Sequence, residues 1–158
     1  MMYAKRIRKI KANTDYTKKL YKSAFPRDER IPFWLLKIAA VLHIIYFLEM
    51  YAEGKYIGFA YCLVSRRKRM CYIAYLAVNG SLRSSGYGSL ILKKLNRMFP
   101  GYVLSLSIEE IDSRAENNEQ RINRKRFYKK NGYVSTGNIY TLGNVRYEEM
   151  RKDVDSYV

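Results

Sequence analysis

Hydrophobic and polar positions follow two different periods in the central part of the chain. Residues 71–78 are apolar at both sets of alternate positions, which predicts a strand covered on both faces. A break rich in Gly and Ser follows, and apolar residues then recur at the spacing of a helix, at Tyr87, Ile91, Leu95 and Met98. The pattern therefore predicts a strand, a glycine-containing loop and a helix in succession.

The same analysis divides the rest of the chain into strands and helices. Further strands are predicted at 3–10, 44–52, 56–65, 102–108, 133–142 and 145–151, and further helices at about 14–25, 32–42 and 119–131. The first of these helices can be capped by Asn13 or Thr14, with Tyr16, Leu20 and Ala24 on its apolar face. Because the central helix returns to a strand within a few residues, strand 102–108 is expected to lie parallel to strand 71–78.

The loop before the central helix has features of an anion site. Its glycines, Gly86 and Gly88, would let a ligand approach the backbone closely, and Arg83 adds a fixed positive charge. The first turn of the following helix carries unpaired N–H groups and the positive end of the helix dipole, a combination that binds phosphate. A strand, loop and helix without any ligand is the alternative, because Gly-x-Gly alone is a weak signal.

Two motifs give the chain a resemblance to a known family. Arg83-x-x-Gly86-x-Gly88 resembles the Q/R-x-x-G-x-G/A acetyl-CoA loop of the GNAT family of N-acyltransferases, and it follows a strand as it does there. Downstream, the segment RFYKKNGY at 126–133 resembles the family's F-Y-x-x-x-G-F/Y segment at the end of a helix. Two such motifs in the family's order are more specific than either alone, and the resemblance is good over residues 44–150.

The resemblance implies a fold that agrees with the predicted order β-α-α-β-β-β-α-β-α-β-β. It implies an α/β (α+β) class, with a single GNAT-like domain over residues 1–158 and a mixed, mostly antiparallel sheet flanked by helices. It also implies that the central parallel strands splay apart after their first residues. A length of 158 residues with 48% hydrophobic residues is consistent with one domain and a sizeable core.

The acetyl-CoA site follows from the resemblance residue by residue. The pantetheine arm would pair with the backbone of Leu76 and Val78 on either side of Ala77, and the Leu76 N–H would polarise the thioester carbonyl. Arg83 would lie beside the pyrophosphate. The pyrophosphate itself would be held by the backbone of Ser84, Ser85, Gly86, Tyr87, Gly88 and Ser89.

The catalytic residues implied by the resemblance are Tyr128 and Glu109. Tyr128 matches the position of a general acid near the coenzyme sulfur, and a phenol is protonated at neutral pH. The family's usual basic Glu on the fourth strand is replaced by Tyr72. Glu109 is the preferred base, and Glu110 and Glu49 or water are the alternatives.

Two further positions bear on the site. The single histidine, His43, lies at a helix–strand junction and is interpreted as structural. Arg121 occupies the place where many family members have an Asn. It is expected, with Arg124, to contact the acidic segment or an anionic part of the substrate. The charged loop at 26–31 is expected to border the acceptor site.

The distribution of charge limits the partners. The formal net charge is +16, and residues 54–108 contain nine Lys or Arg and no Asp or Glu, which suits a polyanion such as coenzyme A. Nucleic acid would be attracted by the same field, but no nucleic-acid-binding motif is visible and this partner is not expected. A solvated basic surface without a ligand is the third interpretation.

The cysteines and the hydropathy of the chain indicate in which cellular compartment the protein is expected. Cys62 and Cys71 fall in predicted buried strands and form neither a disulfide framework nor a metal site, which favours a reducing cytoplasm and no metal. No signal peptide is predicted. Residues 31–48 are apolar except for Lys37 and His43, and a buried helix followed by a strand is expected there rather than a membrane span.

The sequence thus predicts an N-acetyltransferase that moves an acetyl group from acetyl-CoA to a primary amine by direct attack in a ternary complex. The alternatives are a basic nucleic-acid-binding module and a catalytically inactive CoA-binding domain. The acceptor, the choice of acyl group and the oligomeric state, monomer or homodimer, stay open. The acidic cluster after residue 108 mildly favours a cationic acceptor such as a polyamine.

Overall fold

A computed structural model describes residues 1–9, 12–42 and 45–154. Within them the chain forms seven strands and four α-helices. The strands are β1 (Met2–Arg6), β2 (Ile45–Ala52), β3 (Lys55–Ser65), β4 (Met70–Val78), β5 (Val103–Glu109), β6 (Val134–Leu142) and β7 (Val145–Lys152). The helices are α1 (Asp15–Ala24), α2 (Phe33–Val41), α3 (Tyr87–Met98) and α4 (Asn118–Lys130).

All seven strands form one mixed sheet in the order β1-β2-β3-β4-β5-β7-β6. Every neighbouring pair is antiparallel except β4 and β5, which are parallel. The helix α3 connects these two strands, as a parallel pair requires a crossover connection. The predicted fold class, with its single parallel pair in the centre, is confirmed.

Each face of the sheet is covered by two helices. Because side chains alternate along a strand, Leu48 and Ala60 pack with Ile91 and Leu95 of α3, and Tyr128 of α4 joins the same core. Their neighbours belong to a second core with α1 and α2, formed by Phe47, Phe59, Tyr61, Leu20, Tyr21, Leu36 and Ala40. This second core is aromatic: the Tyr21 ring lies 5.1 Å from that of Tyr75 and perpendicular to it.

β4 is not covered along its whole length on both faces, contrary to the expectation from its apolar sequence. Cys71 and Ile73 are buried in the core with α3, and Ala77 is buried in the core with α1 and α2, whereas Tyr72 and Leu76 are only half-buried. The pairing with β3 shifts register at one point, where Tyr61 pairs with Tyr75 and Cys62 with Ile73, so that Ala74 has no opposite residue. Such a bulge bends a strand and redirects its side chains. Tyr72 and Leu76 are only half-buried because they line a cleft.

Several boundaries differ from the predictions. β1 ends at Arg6, earlier than the predicted residue 10, and Thr14 precedes α1 without a capping hydrogen bond from its side chain. The buried residues of α1 are Thr17, Leu20 and Tyr21, while Tyr16 is 69% exposed. His43 and Ile44 lie outside the described residues. No helix in the part of the chain that the structure describes is long and apolar enough to cross a membrane.

Candidate active site

The parallel strands β4 and β5 are paired over only three positions. Met70 is paired with Val103, Cys71 with Leu104 and Tyr72 with Ser105, and the two strands diverge beyond this point. We call these three pairs the β4–β5 seam. The remaining backbone of β4 is therefore paired with β3 on one side and has no strand on the other. Unpaired backbone groups at the end of a strand can bind an extended ligand.

A cleft of about 960 Å³ opens where the two strands diverge. One wall is the backbone and side chains of β4 from Tyr72 to Val78, and the opposite wall comes from the end of β5 and from α4. The segment between α1 and α2 and the hairpin of β6 and β7 also border it, through Pro26, Glu29, Ile31, Tyr140 and Tyr147. The expected position of loop 26–31 beside the site agrees with this arrangement.

The structure places the predicted residues of β4 on the cleft. Leu76, Ala77 and Val78 all line it, and Ala77 is the most buried of the three at 6% exposure. They lie beyond the β4–β5 seam, where β5 has moved away. Their backbone is supported from the β3 side, where Gly58 is paired with Val78.

The glycine loop forms a tight turn directly before α3. Gly86 has φ 81°, a left-handed conformation that glycine adopts without strain, and it is the N-cap residue of α3. Ser84 also has a positive φ of 63°, and Arg83 lines the cleft. The remaining predicted residues of this site, Ser85, Tyr87, Gly88 and Ser89, lie in this turn and in the first turn of α3. Of these loop residues only Arg83 is part of the cleft lining, and the first turn of α3 next to it carries unpaired N–H groups and the positive end of the helix dipole.

Gly88 joins this loop to α4. A Cβ atom at position 88 would lie 2.9 Å from Cζ of Phe127, closer than two carbon atoms can approach without displacement. The ring of Phe127 thus occupies the space that a side chain would need. Since Phe127 belongs to the second sequence motif and Gly88 to the first, the two motifs are in direct contact.

Tyr128 lies near the end of α4 and lines the cleft. Burial raises the pKa of its phenol to about 12, while the positive charge of Arg124 acts in the opposite direction. At neutral pH the phenol is therefore protonated and can act as a proton donor. Its ring packs against that of Tyr133 with the centroids 5.7 Å apart.

Glu109 is the last residue of β5 and lines the same cleft, with 9% of its surface exposed. Its Oε2 accepts a hydrogen bond of 2.9 Å from Nδ2 of Asn117 and forms an ion pair of 2.9 Å with Nε of Arg121. The guanidinium of Arg124 is 4.0 Å away. Arg121 also donates to the carbonyl oxygen of Glu110. The expected contact of Arg121 and Arg124 with the acidic segment is thus present.

The other candidate bases lie elsewhere. Glu110 forms an ion pair of 2.7 Å with Arg146. Glu49 is buried against α1, where it accepts hydrogen bonds from the hydroxyls of Thr17 and Tyr51, and it is not part of the cleft lining. Within residues 1–9, 12–42 and 45–154, no three His, Cys, Asp or Glu side chains are grouped to hold a metal ion.

Sequence analysis missed one polar group of the cleft. The Tyr147 hydroxyl donates a hydrogen bond of 3.1 Å to Oε1 of Glu29, and the Tyr75 hydroxyl donates one of 3.0 Å to the backbone oxygen of Glu29. Glu29 and Tyr147 are 118 positions apart in sequence. The only available signal was the charged loop that contains Glu29, and no feature of the sequence pointed to its partners.

Residues 43–135 match the family described as acetyltransferase (GNAT) domain, and this match covers more than half of the chain. The chain therefore belongs to the GNAT acetyltransferase family. No curated protein matches it in sequence.

Solved structures share the fold over most of the chain. A GNAT-family protein from Bacteroides thetaiotaomicron has 20% identity and a TM-score of 0.71, covering 87% of this chain and 78% of that one. An aminoglycoside 6′-N-acetyltransferase complexed with coenzyme A has 15% identity and a TM-score of 0.70, covering 96% of each chain. An acetyltransferase from Bacillus subtilis in complex with CoA has 13% identity and a TM-score of 0.64, covering 98% and 99%. The chain thus has the GNAT fold.

Proposed function

We propose that this protein is an N-acetyltransferase that transfers the acetyl group of acetyl-CoA to a primary amine by direct attack in a ternary complex. The observation that carries the proposal is the divergence of β4 and β5 into a cleft, with the Gly86 turn and the start of α3 beyond it. An extended arm and a pyrophosphate are the two parts of coenzyme A that such a pair of features fits. We further propose that residues 1–158 act as one domain.

We propose that coenzyme A is bound mainly by backbone groups. The free edge of β4 at Leu76 and Val78 would pair with the amides of the pantetheine arm, with Ala77 between them. The turn at 84–89 and the first turn of α3 would hold the pyrophosphate, and Arg83 would neutralise part of its charge. Support comes from two structures with this fold that contain coenzyme A, although their sequences have diverged widely from this one.

The proposed reaction is a direct transfer. The neutral amine nitrogen attacks the thioester carbonyl carbon, whose oxygen is stabilised by the Leu76 N–H. The C–N bond forms, the C–S bond breaks, and the sulfur leaves with the bonding electrons. Tyr128 gives its proton to the sulfur, and the burial that raises the pKa of this phenol also raises the pKa of a thiol bound beside it.

The proton lost by the attacking nitrogen is proposed to pass to Glu109. This carboxylate lines the cleft at the end of β5, and Tyr128 of α4 lines the same cleft. Because Asn117 and Arg121 already occupy Oε2, the proton would reach the other oxygen, directly or through water.

The proposal is tested by thermal unfolding with and without acetyl-CoA. A ligand at about 100 times its dissociation constant adds about 2.7 kcal/mol to the free energy of unfolding. We expect this stabilisation for the wild type and its loss in Gly86→Glu, because a carboxylate would occupy the pyrophosphate site. Gly54→Glu is the matched control, since Gly54 has a similar φ of 76° and also has open space around it.

Three outcomes are informative. Stabilisation of the wild type and Gly54→Glu, but not Gly86→Glu, supports the site, and CoA release in the presence of amines then tests the transfer. Equal stabilisation of both variants would contradict the assigned loop. Stabilisation by RNA or DNA at low salt without any effect of acetyl-CoA would favour the nucleic-acid-binding alternative.

A further inference from the structure

Part of the cleft wall is formed by apolar side chains that remain exposed to solvent. Four of them recur at helical spacing from just before α2 to the residue that caps its end, and two come from β3 and β6. They are Ile31, Leu35, Ile38, Leu42, Leu63 and Leu142, with exposed fractions between 37% and 65%. Scattered exposed apolar residues are common, but here three separate elements contribute such residues to one opening. A contiguous patch of this kind marks a surface that binds something.

The two carboxylates of the cleft differ in the groups that bind them. Its lining contains two carboxylates, Glu29 and Glu109. Glu109 is bound by Asn117 and Arg121. In contrast, no Lys or Arg among the described residues forms an ion pair with Glu29, whose side chain accepts a hydrogen bond from Tyr147. Burial, and next the negative charge of Glu29, raise the pKa of Tyr147, so this phenol stays a donor.

The acidic cluster from Glu109 to Glu119 contributes only Glu109 to the cleft lining, so it does not form a site for a polycation there. Glu109 is paired with Arg121, Glu110 with Arg146, and Asp112 with Arg114. Three of its carboxylates are thus already neutralised by arginines of this chain. A second or third ammonium group of a polyamine would instead meet the apolar wall, where a charge loses hydration without gaining a partner.

We infer that the acceptor is a primary amine on an apolar body, aliphatic or aromatic, whose ammonium group is bound by Glu29 while its body packs on the exposed wall of α2, β3 and β6. The inference rests on the proposed function where it says that the bound amine is acetylated. Binding of the amine itself can be measured without acetyl-CoA. The bound ammonium must lose one proton to water before it can attack, and Glu109 then takes the second proton, which the nitrogen loses when the amide forms. The acceptor class thus follows from two features of the cleft, an apolar wall and a carboxylate that forms no ion pair with the described residues.

Three amines with the same number of heavy atoms test the inference: n-hexylamine, 5-amino-1-pentanol and 1,5-diaminopentane. They differ only at the end opposite the reacting nitrogen, which is a methyl, a hydroxyl or a second ammonium group. Binding is measured by calorimetry with and without acetyl-CoA, and kcat/KM by CoA release. We expect n-hexylamine to bind about tenfold more tightly than either of the others, because only its far end matches the apolar wall.

Variants on α2 provide the decisive comparison. Leu35→Asp places a carboxylate on the wall and should reverse the order of n-hexylamine and 1,5-diaminopentane. Trp34→Asp is the matched control, because Trp34 is on the same helix, is 62% exposed and is not part of the cleft lining. Glu29→Gln should weaken all three amines about tenfold and keep their order, since it removes the group that binds the shared ammonium. Circular dichroism and the stabilisation by acetyl-CoA show whether each variant is folded.

Several results would overturn the inference. One is that 1,5-diaminopentane binds best to the wild type, and another is that Leu35→Asp and Trp34→Asp behave alike. If Leu35→Asp changes the molar mass in solution and leaves amine preference unchanged, the wall is an interface between copies of the chain. Absence of acetyl-CoA binding would defeat the proposed function alone, because the order of amine binding can still be measured.

Discussion

Gly58 lies where the backbones of two strands approach each other most closely beside the site. A Cβ atom at this position would meet the carbonyl oxygen of Ala77 and would lie 3.0 Å from Cα of Val78. These obstacles are backbone atoms, which cannot move aside as the end of a side chain can. Glycine at position 58 therefore fixes the distance of β3 from the part of β4 that borders the cleft.

Single residues near the glycine loop could be predicted because their signal is local. Arg83, Gly86 and Gly88 lie within six positions of the sequence, and their residue types suit the turn and its charge. The pair of Glu29 and Tyr147 could not be predicted, because its members meet only through the packing of the α1–α2 segment against β7. A carboxylate in a charged loop looks the same in sequence whether or not it faces a cleft.

The assigned role of Tyr128 leads to a prediction at this scale. Tyr128→Phe should lower kcat by about 100-fold, toward the lower end for general acids, because a thiolate is a fairly stable leaving group. The effect should be the same between about pH 7 and pH 10, since burial raises the pKa of this phenol to about 12 and it stays protonated there. The measurement is the rate of CoA release at saturating substrates.

Tyr133→Phe is the control for this substitution. Tyr133 is buried against Tyr128 but is not part of the cleft lining, so its change should leave kcat nearly unchanged. A similar loss in both variants would show that packing, and not proton donation, explains the effect. Wild-type kcat in Tyr128→Phe would contradict the acid role.

At the scale of elements, sequence reasoning worked where an element is delimited by turn residues. The helix expected after Gly86 is found as Tyr87–Met98, and the hairpins of β2 with β3 and β6 with β7 are present. It failed on the face of α1, because Thr17 is buried in place of Tyr16 and bonds to Glu49 and Tyr56. A buried polar residue such as Thr17 does not contribute to the hydrophobic pattern from which the buried face of a helix is predicted.

Arg121 joins α4 to the end of β5 and allows a prediction at this scale. The side chains of Arg121 and Glu109 are 12% and 11% exposed, so Arg121→Gln leaves a largely buried carboxylate without its main partner. We expect the free energy of unfolding to fall by about 3 kcal/mol. Urea unfolding followed by circular dichroism measures the change.

The comparison is Arg146→Gln, which removes an ion pair to the adjacent residue. Arg146 and Glu110 are 61% and 32% exposed, so water screens this pair and the expected loss is at most about 1 kcal/mol. The same loss in both variants would mean that Arg121 does not hold α4 against β5. The ratio of the two losses in unfolding free energy thus measures how much burial strengthens the ion pair at the end of β5.

For the whole molecule, the order of elements along the chain and the one parallel pair were predictable from the hydrophobic pattern and the short connection between α3 and β5, whereas nothing in the sequence indicated that β7 would lie beside β5. The apolar wall of the cleft was not predictable either, because exposed and buried leucines are identical in sequence. The 16 tyrosines are a further property of the whole chain. Burial raises the pKa of Tyr61 and Tyr128 to about 12, and it raises the pKa of Tyr21 and Tyr133 as well.

These tyrosines predict a loss of stability in alkali. Above about pH 10 the unfolded chain releases phenolic protons that the folded chain still holds, so unfolding becomes more favourable as pH rises. Each buried tyrosine contributes about 1.4 kcal/mol per pH unit until its folded-state pKa is reached. We expect the urea midpoint to fall steeply between about pH 10 and pH 11 and to vary little between about pH 8 and pH 9.

Near-ultraviolet absorbance of tyrosinate provides the check on the cause. The part of this signal that comes from the buried phenols should appear together with unfolding and not before it, because these phenols titrate only when the core opens. Ionisation of most tyrosines in the still-folded protein would contradict the explanation. A urea midpoint that stays constant up to about pH 12 would contradict it as well.

The narrow β4–β5 seam coincides with a single point in the order of the chain. All strands on one side of it come from residues before α3 ends, all strands on the other side come from residues after it, and one short exposed link around Pro100 joins them. Two fragments cut at this link would each retain a complete run of neighbouring strands. Their reassembly would depend on the three residue pairs of this one strand pair, on the core beneath α3, and on any molecule that spans the gap. A coenzyme bound there would strengthen the association of the two fragments, so the substrate would also help to hold its enzyme together.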